Sequence, residues 1–167
     1  TSLLDADHTF VNAALAERGY SGRIYGEHGL LNEGFMRVAG ASIEGLQVPS
    51  GPVLVADQLP ANNPMKKVAM QFQTAYQKVY GAASPTDTFF SAYTYDSYLL
   101  LADAAARIKV EPGTPQYRAA LRDAIDTTKE LVGTQGIYNF TRDQRYGSDK
   151  RSVVIVRMEK GQWKLAP

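Results

Sequence analysis

Through roughly the first 128 residues the apolar positions of this chain recur mostly every three or four places. Beyond them the pattern changes to short runs and alternation, so the spacing predicts helices first and extended segments last. Phe10, Val11, Ala14 and Leu15 form a helical stripe that Asp5 or Asp7 can cap and Gly19 closes. Residues 23–25 read as a short buried strand. Asn32 caps a helix to about Ala39, with Gly40 just past its end and Phe35, Met36 and Val38 available for the core. A second strand is expected over 46–48. Helix, strand, helix, strand implies parallel pairing through right-handed crossovers. A strand should precede Thr1, which is a first hint that the chain is cut short.

Pro49, Gly51 and Pro52 then border an extended-looking stretch, 53–55, and the breakers of 59–64 restart the chain. This region reads either as a linker between two packing units or as an edge strand and loop within one. Asn63 followed by Pro64 starts a helix carrying Val68, Phe72, Tyr76 and Val79 at helical spacing, and Gly81 ends it. A third long helix, from 87 or 88 to 108, is apolar on nearly every face, as expected of one buried on more than one side. Its first turns collect tyrosines, whose polar tips suit a half-wet cleft wall. Thr114 and Pro115 start a fourth, with Tyr117, Leu121, Ala124 and Ile125 inward. Strands are expected over 136–140, 152–158 and 163–165, the last two forming a hairpin.

Composition narrows the class. The 167 residues are 44% hydrophobic and 21% charged, which fits one ordinary globular domain. A net charge of +1 with scattered Lys and Arg leaves no footprint for nucleic acid. No apolar run approaches the length of a membrane span. There is no cysteine, so disulfides and thiolate metal sites are excluded. No signal peptide is visible at Thr1, as for a cytoplasmic protein, a processed exported one, or a piece of a longer chain.

Catalytic signatures are missing: no nucleophile elbow, no phosphate loop, no dinucleotide fingerprint, and hence no expected cofactor. The two histidines, His8 and His28, lie on different elements without a carboxylate at metal-ligand spacing. Asp96, inside the apolar helix, must find a partner or face water. A helix-capping or inter-element hydrogen bond is the first reading, and a buried general base the second. What remains is binding chemistry. The glycines of the turn 26–29 precede a helix N-terminus, where backbone N–H groups could receive a carboxylate, and the tyrosines near the start of the buried helix could face its apolar part.

The ordered set Gly19-Tyr-Ser-Gly-Arg-Ile-Tyr-Gly-Glu-His-Gly29, Ile43-Glu-Gly45, Gly51-Pro-Val-Leu-Val-Ala56, Tyr93-Thr-Tyr-Asp-Ser97, Gly133-Thr-Gln-Gly-Ile-Tyr-Asn-Phe140 and the closing hairpin resembles one known family. It is similar to the C-terminal half of type I periplasmic solute-binding proteins of branched-chain amino acid ABC importers. The resemblance implies a Rossmann-like α/β fold, with part of a parallel sheet flanked by helices and a C-terminal hairpin. It places 1–50 in a C-terminal lobe, 51–60 at a hinge crossing, 61–147 in the N-terminal lobe and 148–167 back in the C-terminal lobe. A chain so divided is expected to be truncated and to bury its orphaned surface by self-association or rearranged packing.

The same resemblance implies a periplasmic, non-enzymatic binding component. Its ligand would be a branched-chain or hydrophobic amino acid or a related small carboxylate, aromatic acids included, and its partner a membrane permease. By analogy His28 and Gly29 form the ligand-contacting turn, with His28 where the family often has an acid, and Tyr95, with Tyr93 beside it, lines the cleft from the other lobe. Glu27 would replace the missing acid if the turn is shifted by one residue. A ligand-sensing domain of a receptor or regulator with the same fold is the alternative, and an α/β enzyme a third reading.

Overall fold

Three of the helices begin where the sequence places their caps, at Asn32, Asn63 and Thr114, whereas the first and the long apolar one begin earlier than expected, at Leu3 and Pro85. In a computed structural model, which describes residues 3–81 and 85–166, the order is α1 (Leu3–Glu17), α2 (Glu33–Ala39), β1 (Gln47–Ser50), α3 (Pro64–Tyr80), α4 (Pro85–Arg107), α5 (Pro115–Ile125), β2 (Leu131–Val132), β3 (Ile137–Tyr138), β4 (Val154–Glu159) and β5 (Gln162–Leu165). Asn63 Oδ1 accepts the Met65 N–H at 2.9 Å, and Pro64, which has no N–H, leaves no donor at its own position to satisfy. Thr114 Oγ1 accepts from the Tyr117 N–H at 3.1 Å before Pro115 in the same way. Gly81, at φ +85°, closes α3 in a backbone conformation that side chains rarely adopt. Asn63→Ala is expected to cost about 1 kcal/mol, the usual worth of such a cap, read as a shift of the urea midpoint with unchanged slope.

β1, β4 and β5 form one antiparallel sheet in that order, with Val48 opposite Val156 and Met158 opposite Trp163. The β4–β5 hairpin turns through Lys160 and Gly161, both at positive φ, the geometry that matches the twist of the strands it joins. The expected parallel relation is confined to one bridge, Tyr25 to Gln47. Residues 23–25 are accordingly not the buried strand that was expected. Among the described residues no strand lies on their outer side, and Tyr25 is 61% exposed.

The stretch 53–55 also departs from its expected extended form. It lies within 3₁₀ turns spanning Pro52–Gln58, broken at Val55. Val53, Leu54 and Val55 are all buried, so no polar alternation was there to mark a strand or a surface loop. This segment is no free linker. Gln73 donates to the Val53 carbonyl at 2.8 Å, and the Gln58 amide bonds the backbone of both Trp163 and Leu165. It therefore runs through the middle of a core that joins Leu31, Phe35 and Val48 to Phe72, Phe89 and Val156. The strand expected at 136–140 shortens to Ile137–Tyr138, paired with Leu131–Val132.

α1 is turned relative to its expected stripe. Phe10 and Val11 are exposed, while Asn12 is buried, and the helix packs on α2 and the turn at 40–43. α4 divides its faces more sharply than its composition suggests. Phe89, Ala92, Asp96 and Ala104 are buried; Phe90, Tyr98 and Leu101 are not.

Candidate functional site

A cleft of about 190 Å³ opens at the C-terminal end of β1. Its floor is Pro49, Ser50 and Gly51, its walls are His28 on one side and Tyr93 on the other, and Ser152 and Val153 complete it from the chain entering β4. Four separate stretches thus meet where strands of α/β folds commonly present their ligands. Among the described residues no carboxylate lines the cleft.

The two glycine amides of the turn at 26–29 are spent within the fold, the Gly26 N–H on the Gln47 carbonyl at 2.8 Å. Glu27 caps the turn His28–Leu30 with its own carboxylate, accepting the Gly29 N–H at 2.8 Å. The Leu30 and Leu31 amides donate to Glu27 and His28 carbonyls, and Asn32 Oδ1 takes the Phe35 N–H at 2.8 Å. These donors are spent locally, because an acidic residue stands two positions before the glycine whose amide it can reach. His28 lines the cleft, and its imidazole Nδ1 lies 3.7 Å from Glu27 Oε2.

The two tyrosines part company. Tyr93 reaches the cleft, its ring set edge-on against Phe89 at 5.8 Å between centroids. Tyr95 packs on the opposite side of α4, 4.9 Å from the Phe72 ring and against the core beneath α3. Residues two apart on a helix point some 200° apart, so one helix cannot turn both toward a single cleft. Burial, and then the neighbouring Asp96 charge, hold the Tyr93 phenol above its ordinary pKa, which keeps it a hydrogen-bond donor. His28 and Tyr93 are therefore brought together here; Glu27 and Gly29 stand beside them; Tyr95 does not join them.

Sequence reasoning identified the need of Asp96 but not its partners. The carboxylate is 1% exposed and receives four hydrogen bonds. Oδ1 accepts from the Thr134 N–H at 2.7 Å and the Thr134 hydroxyl at 2.8 Å. Oδ2 accepts from the Gln135 N–H at 2.9 Å and the Tyr138 hydroxyl at 2.7 Å. Burial, with the Asp96 charge and hydrogen bond behind it, pushes the Tyr138 phenol far up. Every acceptor position of this carboxylate is occupied, so it works as a strut that ties α4 to the loop 133–136. The available signal was Gly133 and Gly136, which leave room for side chains to press on the backbone.

A larger hollow, about 350 Å³, lies at the other end of β1 among Asn12, Tyr20, Ser21, Ser42 and Glu44. Among the described residues its one carboxylate, Glu44, already accepts the Lys160 N–H. Among the described residues no cluster of three or more metal-ligating side chains occurs, and no helix is long and apolar enough to cross a membrane.

Comparison with known proteins now bears on this arrangement. Residues 1–162 match the family described as "Periplasmic binding protein". An extracellular ligand-binding receptor from Rhodopseudomonas palustris HaA2 superposes with a TM-score of 0.82 at 34% identity, over 95% of this chain and 44% of that one. A second extracellular ligand-binding receptor from Rhodopseudomonas palustris gives 0.82 at 35% identity, over 95% and 44%. A leucine-binding protein from Thermotoga maritima MSB8 gives 0.67 at 21% identity, over 98% and 41%, a likeness of fold alone. No curated protein matches. The chain spans about 44% of the length of the Rhodopseudomonas palustris structures.

Proposed function

This chain belongs to the periplasmic binding protein family, and from that premise we propose that its cleft between His28 and Tyr93 binds a small carboxylate as part of an extracytoplasmic solute-binding component of an ABC importer. The observation that carries the ligand class is the lining. Among the described residues it offers an imidazole, a phenol held protonated and two serines, and no acidic group. The α-ammonium of an amino acid would meet no anionic partner among the described lining residues; the nearby Glu27 carboxylate stands outside the lining, turned to the Gly29 N–H. An acid without an ammonium group, its ring against Tyr93 and its carboxylate toward His28, matches the lining better than a branched-chain amino acid does. The volume, below the usual range for ligand pockets, favours a small one.

In this reading residues 1–50 and 148–167 form one side of a hinged clamp and 61–147 the other, with 51–60 crossing between them. Closure would bring the two walls onto the solute, and the closed form would dock on a membrane permease. Nothing in the cleft needs to react; binding and release are the whole task.

Thermal denaturation of the intact protein tests this. Benzoate at a hundred times its dissociation constant is expected to raise the melting temperature by roughly 5–10 °C, and L-leucine at the same concentration by much less. A shift with leucine and none with benzoate would return the site to amino acids. No shift with either would remove the cleft as a carboxylate site.

A further inference from the structure

Gly51 in the cleft floor and two glycines of the loop 133–136 each have a polar side-chain atom lying where a β-carbon would sit. A Cβ on Gly51 would collide with Gln135 Oε1, one on Gly133 with the Asp96 carboxylate, and one on Gly136 with the Ser152 hydroxyl. Of these side chains Gln135 is the one that reaches the residue in the cleft floor itself. It is 3% exposed; its N–H donates to Asp96 Oδ2 at 2.9 Å and its Nε2 to the Phe89 carbonyl at 2.9 Å. That second bond fixes which end of the amide is oxygen. Oε1 then faces Gly51, buried and without a hydrogen-bond partner. An orphaned buried acceptor is a cost that calls for a reason.

Tyr93 and Asp96 are one helical turn apart on α4, so they share a face and move together. Phe89, which holds the far end of the Gln135 amide, lies on the same helix. The helix that carries one cleft wall thus grips Gln135 at two points, and the free oxygen of that side chain abuts the floor at Gly51. We propose that Gln135 is the spacer that sets the gap between the Tyr93 wall and the Gly51 floor, and so selects the thickness of the molecule the cleft admits. The inference rests on the cleft being the ligand site. It asks of Gln135 only bulk in the right place.

The experiment uses two probes of equal charge and different thickness, the flat benzoate and the thicker cyclohexanecarboxylate, titrated calorimetrically into the intact protein and its variants. Gln135→Ala lets Gly51 move toward α4, and the affinity ratio is expected to shift roughly tenfold toward benzoate, the order of discrimination that one or two methylene groups provide. Gly51→Ala pushes the floor away and shifts the ratio toward cyclohexanecarboxylate. Combining the two returns it near its original value. Gln135→Met, which keeps the length and loses the amide, leaves the ratio unchanged and remains informative if Gln135→Ala fails to fold. A merely structural Gln135 would instead lower the melting temperature and weaken both probes alike, and that result overturns the spacer. If the unaltered protein binds neither probe, the ligand reading falls, and the spacer is judged on melting alone. Gly51→Ala must then lose several degrees and the double variant regain them; failure to regain them overturns it.

Discussion

Asp96→Ala is expected to lower the unfolding free energy by about 3–5 kcal/mol, the range found when a buried charged partner is removed and the groups it served are left unpaired. Four donors lose their acceptor at once: two backbone N–H groups, the Thr134 hydroxyl and the Tyr138 hydroxyl. Thr134 and Gln135 are 0% and 3% exposed, so water cannot replace what is lost without opening the loop. Asp96→Asn keeps the shape but turns an NH₂ toward donors that need an oxygen, and about 2 kcal/mol of loss is expected. Urea denaturation followed by the single tryptophan, Trp163, buried in the sheet, reads both. Removing Tyr138 from the network by Tyr138→Phe takes away one donor of four and leaves the carboxylate three, so its loss should stay near 1 kcal/mol. If Asp96→Ala cost no more than Tyr138→Phe, the carboxylate would not be the strut described.

That strut shows what could and could not be read along the chain. Elements set by their own few residues were legible: Asn63 with Pro64, Thr114 with Pro115, and the turn at Lys160 and Gly161 each contain the chemistry that forms them. The stretches 53–55 and 23–25 do not. Whether a short apolar run becomes a strand or a 3₁₀ turn depends on whether a neighbouring strand offers a ladder, and that neighbour is distant in sequence. Asp96 announced a need for partners, but they lie 38 to 42 residues further on. In the candidate site, the meeting of His28 with Tyr93 and the spending of the Gly29 amide on Glu27 are matters of facing and reach, which a residue pattern does not carry. The resemblance named both tyrosines; only helix geometry separates them.

The same separation of faces governs the neighbouring pair Phe89 and Phe90, which a pattern apolar all round cannot tell apart. Phe89 is fully buried, and its ring meets both Phe90 and Tyr93 edge-on, at 5.0 and 5.8 Å. Phe90 is 45% exposed. Phe89→Ala is therefore expected to cost about 3–5 kcal/mol, combining the lost transfer of the ring with a cavity its rigid neighbours cannot fill. Phe90→Ala should stay within about 1 kcal/mol, since much of that ring already sits in water. The larger loss also reaches the cleft, because Phe89 supports the Tyr93 ring from behind and its carbonyl holds the Gln135 amide. In Phe89→Ala at a temperature where it remains folded, the benzoate-induced melting shift should shrink along with stability; in Phe90→Ala it should persist. Equal costs for the two would mean that α4 is buried as its composition suggests, on both faces, and that the wall at Tyr93 has no backing of its own.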